Sequence, residues 1–227
     1  MARLVWDELG KKLYETGAKN AVLYLIDSNN AYSEGVAWNG LLGFDENPSG
    51  AEPTKLFADD INYITLFSAE EYGGTIRAYT YPDQFAQCDG SESLTTGVVI
   101  GQQNRKPFGF CYRTAIGNDT VGDSFGYKLH LVYGCKASPS AKTHDTINDS
   151  PSAVEMSWEV TCTPVPVTDF KPTCTIEIDS TKVSSDAMTA IQDVLYGSSE
   201  ADARLPLPDE VKSIILRASG SGGTTSL

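Results

Sequence analysis

The 227-residue chain lacks most of the residue patterns that mark a chemical site. It has two histidines, His130 and His144, and no GxSxG, GxxxxGKS/T, HExxH or GxGxxG string. Its five cysteines, Cys88, Cys111, Cys135, Cys162 and Cys174, form no CxxC or CxH pair and are too dispersed to read as zinc ligands. No apolar run approaches the roughly 18 residues of a membrane span. The first twelve residues carry five charges and offer no apolar signal-peptide segment. A positive surplus is missing as well. Lys and Arg number 17 against 30 Asp and Glu, a net charge of −13, which argues against a protein that coats nucleic acid by neutralising phosphates.

The charge that is present is unevenly spread. Residues 27–92 hold twelve acids and two bases, residues 93–142 two acids and six bases, and residues 143–227 thirteen acids and five bases. Such asymmetry can mark a self-complementary assembly, but taken alone it reads first as a solvated acidic surface.

Period-two alternation dominates the pattern. Tyr127, Leu129, Leu131, Tyr133 and Cys135 oppose Lys128, His130 and Lys136, and Met156, Trp158, Val160 and Cys162 oppose Glu155, Ser157, Glu159 and Thr161. Cys174, Ile176 and Ile178 alternate in the same way, which predicts antiparallel strands with one wet face. Further strands are expected at 21–26, 61–67, 75–81, 96–100 and 108–115. Four of the five cysteines fall in strand-like runs and read as reduced core residues. Helices are expected at Ser184–Tyr196, capped by Ser184 and stopped at Gly197, and at Pro208–Arg217, with a short candidate at Ser68–Tyr72. The fold class is therefore mainly β (α+β): an antiparallel β-sandwich or open barrel with one or two flanking helices. Residues 1–217 read as a single domain with long loops at 39–59 and 138–153, followed by a flexible Gly/Ser-rich tail at 218–227.

Candidate chemistry is thin. Asp27–Glu34 and Asn118–Asp123 lack the 1-3-5 acid spacing of a calcium loop and read as turns. Adjacent acids such as Glu70 and Glu71 point in different directions and make poor acid/base pairs. Cys135 with His130 would be a nucleophilic pair without an orienting acid or oxyanion site. No catalytic, cofactor or metal residue is assigned, and no enzyme is expected. The aromatics Tyr79, Tyr81 and Phe85 beside Pro82 fit either core packing or a contact corner.

Three ordered strings carry a resemblance. They are Tyr14–Asn20 (YETGAKN) with Gly35–Leu41 (GVAWNGL), then Ile76–Asp89 (IRAYTYPDQFAQCD), then Gly101–Lys106 (GQQNRK) with Phe108–Thr114 (FGFCYRT) and YKLHLVYGCKASPS. Together the chain resembles the major tail proteins of long-tailed, non-contractile bacteriophages and prophages of Gram-positive hosts. The resemblance implies a structural virion protein, made in the host cytoplasm, that assembles with itself into stacked hexameric rings. The rings form a tube holding the tape measure protein and meeting the tail terminator and distal tail protein, and DNA passes through without tight binding. It implies no cofactor and no membrane. On this reading the candidate assembly contacts are Leu42, Phe44, Pro48 and Lys55 in the first loop, Lys106 and Arg113 in the basic block, and Lys142 and His144 in the second loop. A tail terminator, a capsid decoration protein or a carbohydrate-binding baseplate module is the alternative.

Overall fold

The computed structural model describes residues 3–144, 146 and 153–220. Residues 145 and 147–152 of the second predicted loop, and 221–227 of the predicted tail, lie outside the described residues. The strands are β1 (Leu13–Ile26), β2 (Tyr32–Trp38), β3 (Leu41–Glu46), β4 (Ser49–Gly50), β5 (Pro53–Ala58), β6 (Ile61–Phe67), β7 (Glu70–Glu71) and β8 (Gly73–Ala78), then β9 (Glu92–Thr95), β10 (Val98–Ile100), β11 (Phe108–Asn118), β12 (Gly122–Ala137), β13 (Met156–Cys162) and β14 (Thr175–Asp179). The helices are α1 (Ala86–Asp89), α2 (Ser185–Tyr196) and α3 (Pro208–Gly220). Among the described residues no helix is long and apolar enough to cross a membrane. The mainly-β expectation holds.

Eight strands make one antiparallel sheet in the order β2-β1-β11-β12-β13-β8-β3, with β14 also paired to β12. The sheet curls until β3 lies alongside β1. The curl closes around a ring-rich core: Trp158 packs edge-on to Trp38, Tyr81 and Phe85, with Phe108 and Phe110 beside them. Phe85 is fully buried and Tyr81 packs on it, so core packing is the role of both, while Tyr79 stays exposed.

A second core lies on the outer face of β1, β11, β12 and β14. There Leu129, Leu131 and Tyr133 meet Met188, Ile191 and Leu195 of α2 and Val211 and Ile214 of α3. Tyr24 donates to the Leu195 carbonyl (2.7 Å) and Tyr133 to the Pro206 carbonyl (2.9 Å), so the polar ends of two buried rings are satisfied by the helical layer. With helices on one face and the curled interior on the other, β11 and the centre of β12 are buried on both sides. The expected wet face is absent there, and even His130 is buried.

Cys135 also departs from its expected face. Gly134 has φ 62°, and a Cβ there would meet the Thr163 carbonyl oxygen at 2.2 Å, so only glycine fits. The bulge shifts the ladder from Phe110↔Val132 to Phe108↔Cys135 and turns Cys135 into the aromatic core with Val132. At this point β12 passes from pairing with β14 (residues 128–132) to pairing with β13 (residues 135–137).

Ser184 caps α2 by accepting from the Ala187 N–H (3.3 Å), and Gly197 follows its last turn. Ser184→Ala should lower stability by about 1 kcal/mol, or roughly 2–4 °C in Tm, with the fold intact by circular dichroism. No change in Tm would show that the cap contributes nothing. Helix α3 runs three residues beyond the predicted Arg217, so 218–220 are helical rather than part of a flexible tail. Ser68–Tyr72 is no helix; β7 occupies its middle.

Candidate functional site

The predicted loop 39–59 is not a loop. Strand β3 pairs with β8, β4 with β7, and β5 with β6, so residues 41–78 form one long, interrupted hairpin. Its base belongs to the main sheet, and its distal half stands outside both cores. Gly50 (φ 80°) and Ala51 (φ 53°) break the strand between the two parts. Asp59 and Asp60, both at positive φ, make the tight turn at the tip.

The distal hairpin is polar only in part. Phe57, Tyr63 and Phe67 are 69%, 74% and 70% exposed, and Leu56, Ile61, Ile64 and Leu66 are exposed beside them. Cross-strand register places Leu56, Ile64 and Leu66 on one face and Phe57 and Phe67 on the other, with a register shift between Leu56 and Phe57 resetting the pairing toward the tip. An isolated two-stranded hairpin is marginal in water, and this one offers apolar surface on both sides. Each such side chain, if fully covered, contributes about 1.5–3 kcal/mol.

Two more apolar projections accompany it. The β9–β10 hairpin exposes Leu94, Val98 and Val99. Its base is fixed where Arg105 donates Nε and Nη2 to the Asp89 carbonyl at 3.0 and 2.7 Å. The segment before β1 exposes Leu4, Val5, Trp6 and Leu9, and it is tethered at Gly10 by Asp119 and Asn118.

The predicted contact residues divide. Pro48 and Lys55 are exposed on the long hairpin, and Lys106 and His144 are exposed elsewhere. Leu42 is half-buried in β3. Phe44 is half-buried and packs its ring on Phe110 and Tyr112 at 5.8 and 5.6 Å, at the edge of the aromatic core. Arg113 lies in β11 with its guanidinium 3.7 Å over the Tyr127 ring, a contact within the chain. Lys142 reaches back to Asp89 at 3.0 Å. That carboxylate also accepts from Trp158 Nε1 at 3.1 Å, so Lys142 pins residues 138–144 to the core. Of the six bases in 93–142, Arg105, Arg113, Lys128 and Lys142 are committed to partners within the chain, and Lys106 and Lys136 form no ion pair among the described residues.

Sequence reasoning found Ile61–Phe67 as a strand but not as an arm. The signal was there: LF and INYITLF carry apolar residues on both parities, which a strand with one wet face does not. Asp27 and Asn118 act as turn formers, each accepting from two backbone N–H groups downstream. Cys135 Sγ sits 3.6 Å from Cys162 Sγ, and His130 Nε2 faces Thr114 and Glu15, so Cys135 and His130 make no pair. Burial pushes the Cys88 and Cys111 thiols up to about 12, which keeps both protonated and inert at neutral pH. Neither a protein-family model nor a curated protein matches the chain.

Proposed function

We propose that the chain is a structural subunit that assembles with copies of itself, and that its assembly is the tail tube of a long-tailed, non-contractile phage. The distal β5–β6 hairpin carries this reading. It is built into the sheet at its base, apolar on both faces and without a covering partner among the described residues. A neighbouring copy that covers both faces removes the apolar surface from water and pairs the open strand edges. The three matching strings supply the identity of the assembly, and stacked hexameric rings are its form.

The charge balance supports the same reading. A conduit for DNA works best when its wall does not hold phosphate, and −13 per subunit fits that requirement. Residues 49–71 of the arm carry five acids and one base, so a basic surface on a neighbour would complement them. Lys106 and Lys136 are the bases of the 93–142 block left for that contact, which narrows the expectation that included Arg113.

Negative-stain microscopy of purified protein tests the reading. Rings or tubes about six subunits around are the expected result. Discrete monomers or trimers at high concentration would sink it and favour a different virion component.

A further inference from the structure

Strand pairing brings three potential metal ligands together. Glu177 on β14 lies directly opposite His130 on β12, and Glu46 reaches them from the end of β3. One ring nitrogen of His130 and one carboxylate oxygen from each glutamate all lie within 4.8 Å of one another.

The hydrogen bonds around His130 assign its proton. Thr114 Oγ1 donates its single hydrogen to Glu15 Oε1 (2.6 Å), so it can only accept from His130 Nε2, 2.9 Å away. Nε2 therefore carries the hydrogen, also facing Glu15 Oε1 at 3.3 Å, and Nδ1 keeps a bare lone pair. His130 is 4% exposed, and its Nδ1 has no hydrogen-bond partner among the described residues. A buried acceptor left without a donor is uncommon in a folded protein and calls for an occupant. Stacking on Tyr112 (4.5 Å, 3° between planes) holds the ring in place.

The surroundings have the form of an outer shell. The Thr114 hydroxyl and Glu15 carboxylate behind Nε2 fix the orientation of the ring and aim the opposite nitrogen at the two glutamates. Tyr112 donates to Glu46 Oε1 (2.9 Å) and leaves Oε2 unengaged by that bond. Lys128 bridges Glu177 (3.3 Å) and Glu15 (2.7 Å), so it can release Glu177 and remain paired.

We propose that Glu46, His130 through Nδ1, and Glu177 bind one first-row divalent cation, zinc being the best fit, which clasps edge strand β3 to β12 and β14. An imidazole with two carboxylates suits zinc at about 2.0–2.2 Å and leaves a fourth position for water. Calcium, which takes six to eight oxygens, is not served by a nitrogen and two carboxylates.

The test uses the full chain, stripped with a chelator, kept reduced, and titrated with zinc chloride by calorimetry. One equivalent should bind, and Tm should rise by roughly 5–10 °C at a hundredfold excess over Kd. X-ray absorption at the zinc edge should show a nitrogen/oxygen shell with no sulfur near about 2.3 Å. His130→Asn should abolish uptake. Should that variant fail to fold, Glu46→Gln and Glu177→Gln, at exposed positions, should each weaken zinc binding at least tenfold and leave the Tm of the stripped protein within about 2 °C. Absence of uptake overturns the proposal. So does a sulfur shell, which would place the ion at the Cys135–Cys162 pair, or unchanged binding in both glutamine variants.

Discussion

Replacing Pro53–Phe67 with an Asn-Gly turn should yield a well-folded monomer that forms no rings or tubes at any concentration. Glu52 and Ser68 already face each other: Ser68 N–H donates to the Glu52 carbonyl (3.2 Å) and Glu52 N–H to Ser68 Oγ (3.0 Å). A two-residue turn therefore closes the ladder at that point without moving β4 or β7. None of the fifteen removed residues belongs to either core, so Tm should stay within about 2 °C of the parent. Sedimentation velocity and negative-stain images read the assembly side, and thermal unfolding reads the fold. Ordinary tubes from the shortened chain would refute the arm. A milder variant, Phe57→Ser with Tyr63→Ser, should weaken assembly by at least a hundredfold in critical concentration. A cut through 43–55 would not make the same test, because it removes β3 and Phe44 with it.

Trp158→Ala should be the most damaging single substitution, costing about 4–6 kcal/mol. Truncating a buried aromatic in a packed core costs about 3–5 kcal/mol. Trp158 is fully buried among Trp38, Tyr81 and Phe85, three rings that cannot collapse into the space it leaves. Loss of Nε1 also removes one of the donors to the Asp89 carboxylate, which is buried and keeps Lys142 among the described residues. Against a total stability of about 5–15 kcal/mol, the variant approaches the unfolding threshold. Trp158→Phe separates the two contributions, since it keeps most of the ring volume and loses the N–H. Urea titration should show Phe costing about 1–3 kcal/mol with an unchanged m-value. Equal losses in both variants would mean that the hydrogen bond, not packing, sets the cost.

Much of the fold was legible from residue alternation, and the failures have physical causes. Strand β13 and helix α2 follow the pattern closely because each buries a regular stripe, whereas β12 was found as a strand but is buried on both faces at its centre. The long hairpin was missed because Gly50, Pro53 and the acidic turn break it into pieces too short for a period, and because its apolar residues serve both faces. Phe44 and Arg113 read as surface contacts since sequence does not show which strands a curled sheet will bring over them. The three residues grouped at His130 come from positions 46, 130 and 177, and only the register of β12 with β14 and the curl of β3 unite them. No local spacing encodes such a group.

The long hairpin ties the exposed tip to the buried interior by continuous backbone. Strand β3 is the last strand of the main sheet, and it runs through β4 into β5 with two residues at each junction. Edge opening and tip capture are therefore linked equilibria. A neighbour that holds the tip must slow the fraying of β3 by the same free energy with which an intact β3 favours capture. In hydrogen-exchange terms, amides of Leu41–Glu46 should be among the first to gain protection as subunits join, though they lie far in sequence from the tip that is gripped.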